Sequence, residues 1–187
     1  MKYQNPKIES SYRENDLGKT LYEQVLKYKP KKVVEFGALF GYSTIAMAMA
    51  LHELGQGKIV SYDLWDKYPH THSTKNNTQK NIDLYGLSEY VTLKQGDLIE
   101  WLKDPEEFDM MHIDISNKGD IIKMVFNTIK SHIKKGKIIL FEGGSKERDN
   151  VEWMKKYKCK KISGCSAPYK IINSRFPSLS MLTLKSK

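Results

Sequence analysis

The stretch VVEFGALFGYST, residues 33–44, decides how the rest of the chain is read. Val33 to Phe36 is an apolar run of buried-strand length, and Gly37 breaks it. Ala38, Leu39 and Phe40 turn the chain into Gly41. From Ser43 to Leu54 the residues are then apolar almost all round, the pattern of a helix buried against a sheet, with Gly55 as its stop. Two glycines permit a tight turn and let a ligand approach the backbone. The helix beyond them offers free N–H groups and a positive dipole end at Tyr42 and Ser43. The denser G-x-G-x-x-G pattern of a nicotinamide site is absent. Taken alone, the segment is also compatible with a plain strand–turn–helix capped by Ser43.

Working outward, the same rhythm recurs. Leu17, Leu21, Val25 and Leu26 stand at helical spacing and stop before Pro30. KIVSYD is a strand ending at Asp63, followed by a polar loop and a modest helix from about Lys75 to Tyr85 that closes at Gly86. YVTLK ends at Gln95-Gly96-Asp97, ahead of a short helix from Leu98 to Leu102. FDMMHID ends at Asp114. Ile121, Ile122, Val125, Ile129 and Ile133 then mark a helix whose basic last turn stops at Gly136. KIILFEGG is the fifth strand, and Lys146 to Lys158 reads as a helix around Val151 and Met154. YKIIN and SLSMLTLK, parted by a turn at Pro177, should pair antiparallel. Strand–helix alternation with a final strand pair implies an α/β domain built on a mostly parallel sheet. Ligands of such sheets bind beyond the carboxyl ends of the strands, so Gly37, Asp63, Asp97, Asp114 and Glu142 form one set.

Composition narrows the classes. The 187 residues suit one domain, and 31 basic against 22 acidic side chains give a charge of +9. Only Arg13, Arg148 and Arg175 are arginines, whereas arginine is the better fork for phosphate and base edges. The lysine runs sit near element ends, where cations suit a helix C-terminus. No apolar stretch is long enough to span a membrane, and MKYQNPKIESSYREN has no apolar core of the signal-peptide kind. Cys159 and Cys165 make no disulfide framework and no zinc pattern, so a cytoplasmic protein is expected.

Glu35, one spacer and Gly37-x-x-x-Gly41 resemble motif I of the class I S-adenosylmethionine-dependent methyltransferases, and the likeness runs over about residues 14–184 in strand order as well as motif. It implies a Rossmann-like fold: a mostly parallel seven-stranded sheet, helices on both faces and a final antiparallel pair. The chain would be a single domain, with a helical segment over about 1–30 and a cofactor-binding core over about 31–187. By that resemblance Asp63, with Leu64 and Trp65 beside it, grips the cofactor's ribose. One carboxylate can accept from two vicinal hydroxyls. Gly96, Asp97 and Leu98 look like the adenine-binding turn, although Asp97 also reads as the cap of the next helix. Glu35, Gly37, Ala38, Gly41, Tyr42 and Ser43 would form the loop around the cofactor's amino-acid end. Trp65 is either an adenine stack or a loop anchor.

Gly41-Tyr42-Ser43 further resembles the small-molecule, catechol-like O-methyltransferase branch, which binds Mg²⁺ through an Asp after strand four and an Asp-Asn pair after strand five. Asp114 matches the first ligand; Glu142-Gly143 departs from the pair, because Gly143 has no side-chain oxygen. The branch's catalytic lysine corresponds to Asn117. Asp114 is therefore expected as a base, as a neighbour of the cofactor's amino group, or as a Mg²⁺ ligand with Glu142. His70 and His72, in the polar loop after Asp63, are candidate bases near neutral pH. Asp114-Ile115-Ser116-Asn117 is not the proline motif of nucleic-acid amino-methyltransferases, and no Pro-Cys nucleophile occurs there. The expected partner is a small hydroxylated acceptor, with nucleic acid and membrane disfavoured and a second subunit as one source of acceptor contacts. The competing readings are an inactive cofactor-binding module and a nucleic-acid methyltransferase.

Overall fold

The computed structural model describes residues 1–67 and 73–184, in two compact units, Met1–Met110 and Met111 onward. In the first unit, α1 (Leu17–Tyr28) lays Leu17, Leu21 and Val25, one helical stripe, against α2 (Tyr42–Leu54). Every residue of α2 from Tyr42 to Leu51 is buried, as its all-round apolar sequence requires, and Gly55 ends it at φ 65°. Each such Ile, Leu or Met withdrawn from water contributes about 1.5–3 kcal/mol.

Strands β1 (Lys32–Phe36), β2 (Lys58–Asp63) and β3 (Val91–Gln95) pair in parallel, with Glu35 opposite Ser61 and Asp63 opposite Gln95. Parallel pairing brings their carboxyl ends to one edge. There Gly37 N–H donates to the Tyr62 carbonyl at 2.9 Å, and Gly96 N–H to the Asp63 carbonyl at 3.0 Å. Helix α3 (Lys75–Leu84), capped by Thr74, precedes β3, and the short α4 (Leu98–Trp101) follows it.

The second unit carries β4 (Met110–Ile113) from its second residue onward, then α5 (Gly119–Lys134), whose Ile122, Val125 and Ile129 are buried. After β5 (Ile138–Glu142) the long helix expected over 146–158 is not formed. A 3₁₀ turn at Arg148–Asn150 and a five-residue α6 (Glu152–Lys156) replace it. The break has a cause: the Asp149 carboxylate is buried and accepts the N–H groups of Ile162 and Ser163, both at 2.8 Å. That tie pulls the chain out of helical register at Val151, which is extended at ψ 153°.

The last strands, β6 (Tyr169–Asn173) and β7 (Leu179–Leu182), are antiparallel as expected. In addition β7 lies between β5 and β6 and runs antiparallel to both. The register of β6 slips at a bulge between Ile171 and Asn173. The seven strands follow the order β3-β2-β1-β4-β5-β7-β6, a mostly parallel sheet with an antiparallel end. Among the described residues no helix is long and apolar enough to cross a membrane.

Candidate cofactor and active site

The turn after β1 is built from the strand outward. Glu35 is fully buried, and its carboxylate accepts from the hydroxyls of Ser43 at 2.5 Å, Ser61 at 2.6 Å and Thr44. Those three bonds satisfy a buried acid that would otherwise be costly. They also bind the first turn of α2 to β1 and β2. Ser43 is consequently not the cap: Gly41 takes that position at φ 93° with no side-chain cap bond, and the Ser43 hydroxyl is spent on Glu35. Gly37 has φ 97°, and Leu39 adopts φ 46° without being glycine. Ala38 is buried, while Tyr42, also buried, donates its hydroxyl to Asn5 at 2.8 Å.

Asp63 is partly exposed at the end of β2. Its Oδ2 accepts the Leu39 N–H at 2.8 Å and its Oδ1 the Trp65 N–H at 2.9 Å. Each carboxylate oxygen retains acceptor capacity for a further hydroxyl. Trp65 is fully buried, its indole N–H directed at the Leu39 carbonyl (3.2 Å) and the Thr78 hydroxyl (3.0 Å). This is the loop-anchor arrangement; a ring with no exposed face has none to offer an adenine. Leu64 beside it is partly exposed.

Gly96 has no room for a side chain, since a Cβ there would meet a Tyr62 ring carbon at 2.9 Å. Asp97 caps α4, its Oδ1 accepting the Ile99 N–H at 2.7 Å, and remains partly exposed, whereas Leu98 is buried. In the first unit the structure thus brings together the Gly37 turn, Asp63 and Gly96-Asp97. It adds three residues that the sequence did not single out: Ser73, Thr78 and Asn81 all donate to the turn's carbonyls. Their only sequence signal is proximity to Asp63 and Trp65, because they act on backbone.

In the second unit Asp114 is partly exposed just beyond β4. Asn117 is buried and donates through Nδ2 to the carbonyls of Ile113 (3.0 Å) and Glu142 (2.9 Å), tying the turn after β4 to the end of β5. Glu142 corrects the expectation of a metal ligand. It is buried and gripped by the Arg148 fork, Nε to one oxygen and Nη2 to the other at 2.9 Å. A carboxylate neutralised by a guanidinium on both oxygens is not a donor for a divalent cation. Burial and, less, the charge of Asp149 push its carboxyl up while Arg148 pulls it down, leaving it raised to about 6. Among the described residues no cluster of three His, Cys, Asp or Glu side chains is arranged to hold a cation, and with both Glu142 oxygens on Arg148 the pair of Asp114 and Glu142 does not fit Mg²⁺. His70 and His72 lie outside the described residues. A cavity of about 660 Å³ opens along the outer face of α5 and residues 160–166, and none of the predicted site residues lines it.

The chain is 38% identical over 89 residues to the catechol O-methyltransferase of Niastella koreensis, an alignment covering 45% of this chain and 37% of that enzyme. In structure it resembles an O-methyltransferase from Bacillus cereus solved in complex with SAH, with a TM-score of 0.61 at 20% identity over 96% of this chain and 84% of that one. It also resembles the SAH-bound Podospora anserina methyltransferase PaMTH1, with a TM-score of 0.61 at 16% identity over 95% and 80%. At those identities the likeness is one of fold. The Methyltransferase domain family matches residues 34–142, more than half of the chain and the ends of β1 to β5, and the chain belongs to that family.

Proposed function

We propose that this chain is a single-domain S-adenosylmethionine-dependent O-methyltransferase acting on a hydroxyl of a small molecule. The observation that carries the reading is the meeting, at one edge of three parallel strands, of the Gly37 turn, the half-exposed Asp63 and the Gly96-Asp97 turn. The residues fit the cofactor in kind. Asp63 would accept from the ribose hydroxyls, Asp97 from the adenine amino group, and the turn from Gly37 to Ser43 would face the amino-acid end. Glu35 supports this by holding that turn and the start of α2 in place.

The cofactor supplies an electrophilic methyl group, and the protein aligns the acceptor oxygen with it and excludes water. By the family resemblance Asp114, His70 and His72 are the candidates to take the acceptor's proton. Mg²⁺ has no part in this reading, because Arg148 already holds Glu142. The catechol O-methyltransferase relative supports oxygen as the methylated atom and a small molecule as acceptor. The unpaired Cys159 and Cys165 suit the reducing cytoplasm.

Calorimetric titration with S-adenosylhomocysteine (SAH) tests the site. Wild type should bind, and Asp63→Ala should bind about tenfold more weakly, the loss of about one charge-assisted hydrogen bond. Equal affinity in the variant removes Asp63 from the ribose. Transfer of labelled methyl to a panel of phenols and sugars, with Mg²⁺ or with EDTA, should give the same turnover under both conditions.

A further inference from the structure

Leu39 occupies the centre of the turn in a conformation that a branched side chain resists, and the peptide around it is held from every side. Its N–H donates to Asp63 at 2.8 Å. Its carbonyl receives three donors: the Trp65 indole at 3.2 Å, the Ser73 hydroxyl at 3.0 Å and the Thr78 hydroxyl. The next carbonyl, of Phe40, receives the Asn81 amide at 2.9 Å. Trp65 closes a circuit, because its backbone N–H lies on Asp63 while its indole reaches Leu39 and Thr78. Trp65, Ser73 and Thr78 are all buried. Three donors on one carbonyl exceed what folding the turn alone requires, since one would spare it from being unpaired.

We propose that Thr78, acting with Trp65 and Ser73, is a positioning residue for cofactor capture: it latches the Leu39 peptide and thereby fixes both the turn and the Asp63 carboxylate that faces the ribose. The proposal rests on the cofactor reading given above. Helix α3 thereby becomes part of the cofactor site through the Thr78 hydroxyl and the Asn81 amide. The Thr78 methyl contributes as well, since it stands 3.2 Å from where a Cβ on Gly41 would lie.

The test compares wild type with Thr78→Val, which keeps the shape and loses the hydroxyl, and Thr78→Ser, which keeps the hydroxyl. Trp65 and Ser73 still serve the Leu39 carbonyl in Thr78→Val, so the fold is retained. SAH affinity by calorimetry should fall about fivefold to tenfold in Thr78→Val, the range expected for one hydrogen bond, and stay within about twofold of wild type in Thr78→Ser. The melting temperature without ligand should not track that order, and the Trp65 indole N–H should exchange faster in the valine variant only. If Thr78→Val binds SAH like wild type, or if both variants lose affinity in step with their melting temperatures, the latch is overturned and the cofactor reading stands. If wild type itself fails to bind SAH, the cofactor reading falls and takes the latch with it.

Discussion

Arg148 is buried, and a guanidinium out of water is costly unless its charge is countered. Glu142 counters it through the fork, taking Nε and Nη2, while Nη1 is buried without a hydrogen-bond partner and the ring of Trp153 lies 4.9 Å from the guanidinium carbon. Glu142 in turn has its carboxyl raised from 4.5 to about 6, chiefly by burial. Its folded state therefore holds the proton more tightly than its unfolded state, and the contribution to stability declines as pH rises from 4.5 to about 6. In Arg148→Met the counter-charge is gone, the carboxyl rises further, and the window of decline extends upward. Urea denaturation should show that variant destabilised by about 3–5 kcal/mol at pH 8, with a smaller deficit at pH 5 where Glu142 can be neutral. The double variant Glu142→Met/Arg148→Met should recover most of the loss at both pH values, because no charge is left unpaired.

Among the elements, the strand–turn–helix at residues 33–54 carries the most information. Gly41 and Gly55 bracket α2, both at positive φ, yet differ in surroundings. A Cβ at Gly55 meets nothing within 4 Å, whereas one at Gly41 meets Thr78 at 3.2 Å. Gly55→Ala should cost about 1 kcal/mol of stability and leave SAH affinity unchanged. Gly41→Ala should lose both, as thermal melts and calorimetry on the same samples would report. Most of this element was legible beforehand, since its apolar runs obey strand and helix periods and its glycines stand where the turn needs them. Asp63 and Asp97 were legible too, as acids at strand ends. The Leu39 latch was not, because its donors reach a backbone carbonyl from 26 to 39 residues away and leave no pattern. The Glu142–Arg148 pair and the Asp149 tie were hidden likewise: spacings of 6 and 13 fit neither a strand nor a helix period, and the tie broke a helix that local propensity favoured.

At the scale of the whole molecule the charge of +9 is chiefly lysine. Of the three arginines Arg148 is committed to Glu142, which leaves Arg13 and Arg175 exposed. A phosphate backbone would therefore meet mostly flexible point charges, so the protein should elute from immobilised RNA below about 0.15 M salt. Retention beyond that point would favour a nucleic-acid acceptor. The sheet's last strand bears on a different hazard. An edge strand with a straight row of free backbone groups invites a second copy to add on, strand against strand, and exposed Ile171 and Phe176 would strengthen such a contact. The bulge between Ile171 and Asn173 interrupts that row midway. A straight β6 would present that row unbroken, so the kink is expected to disfavour the joining of two copies edge to edge.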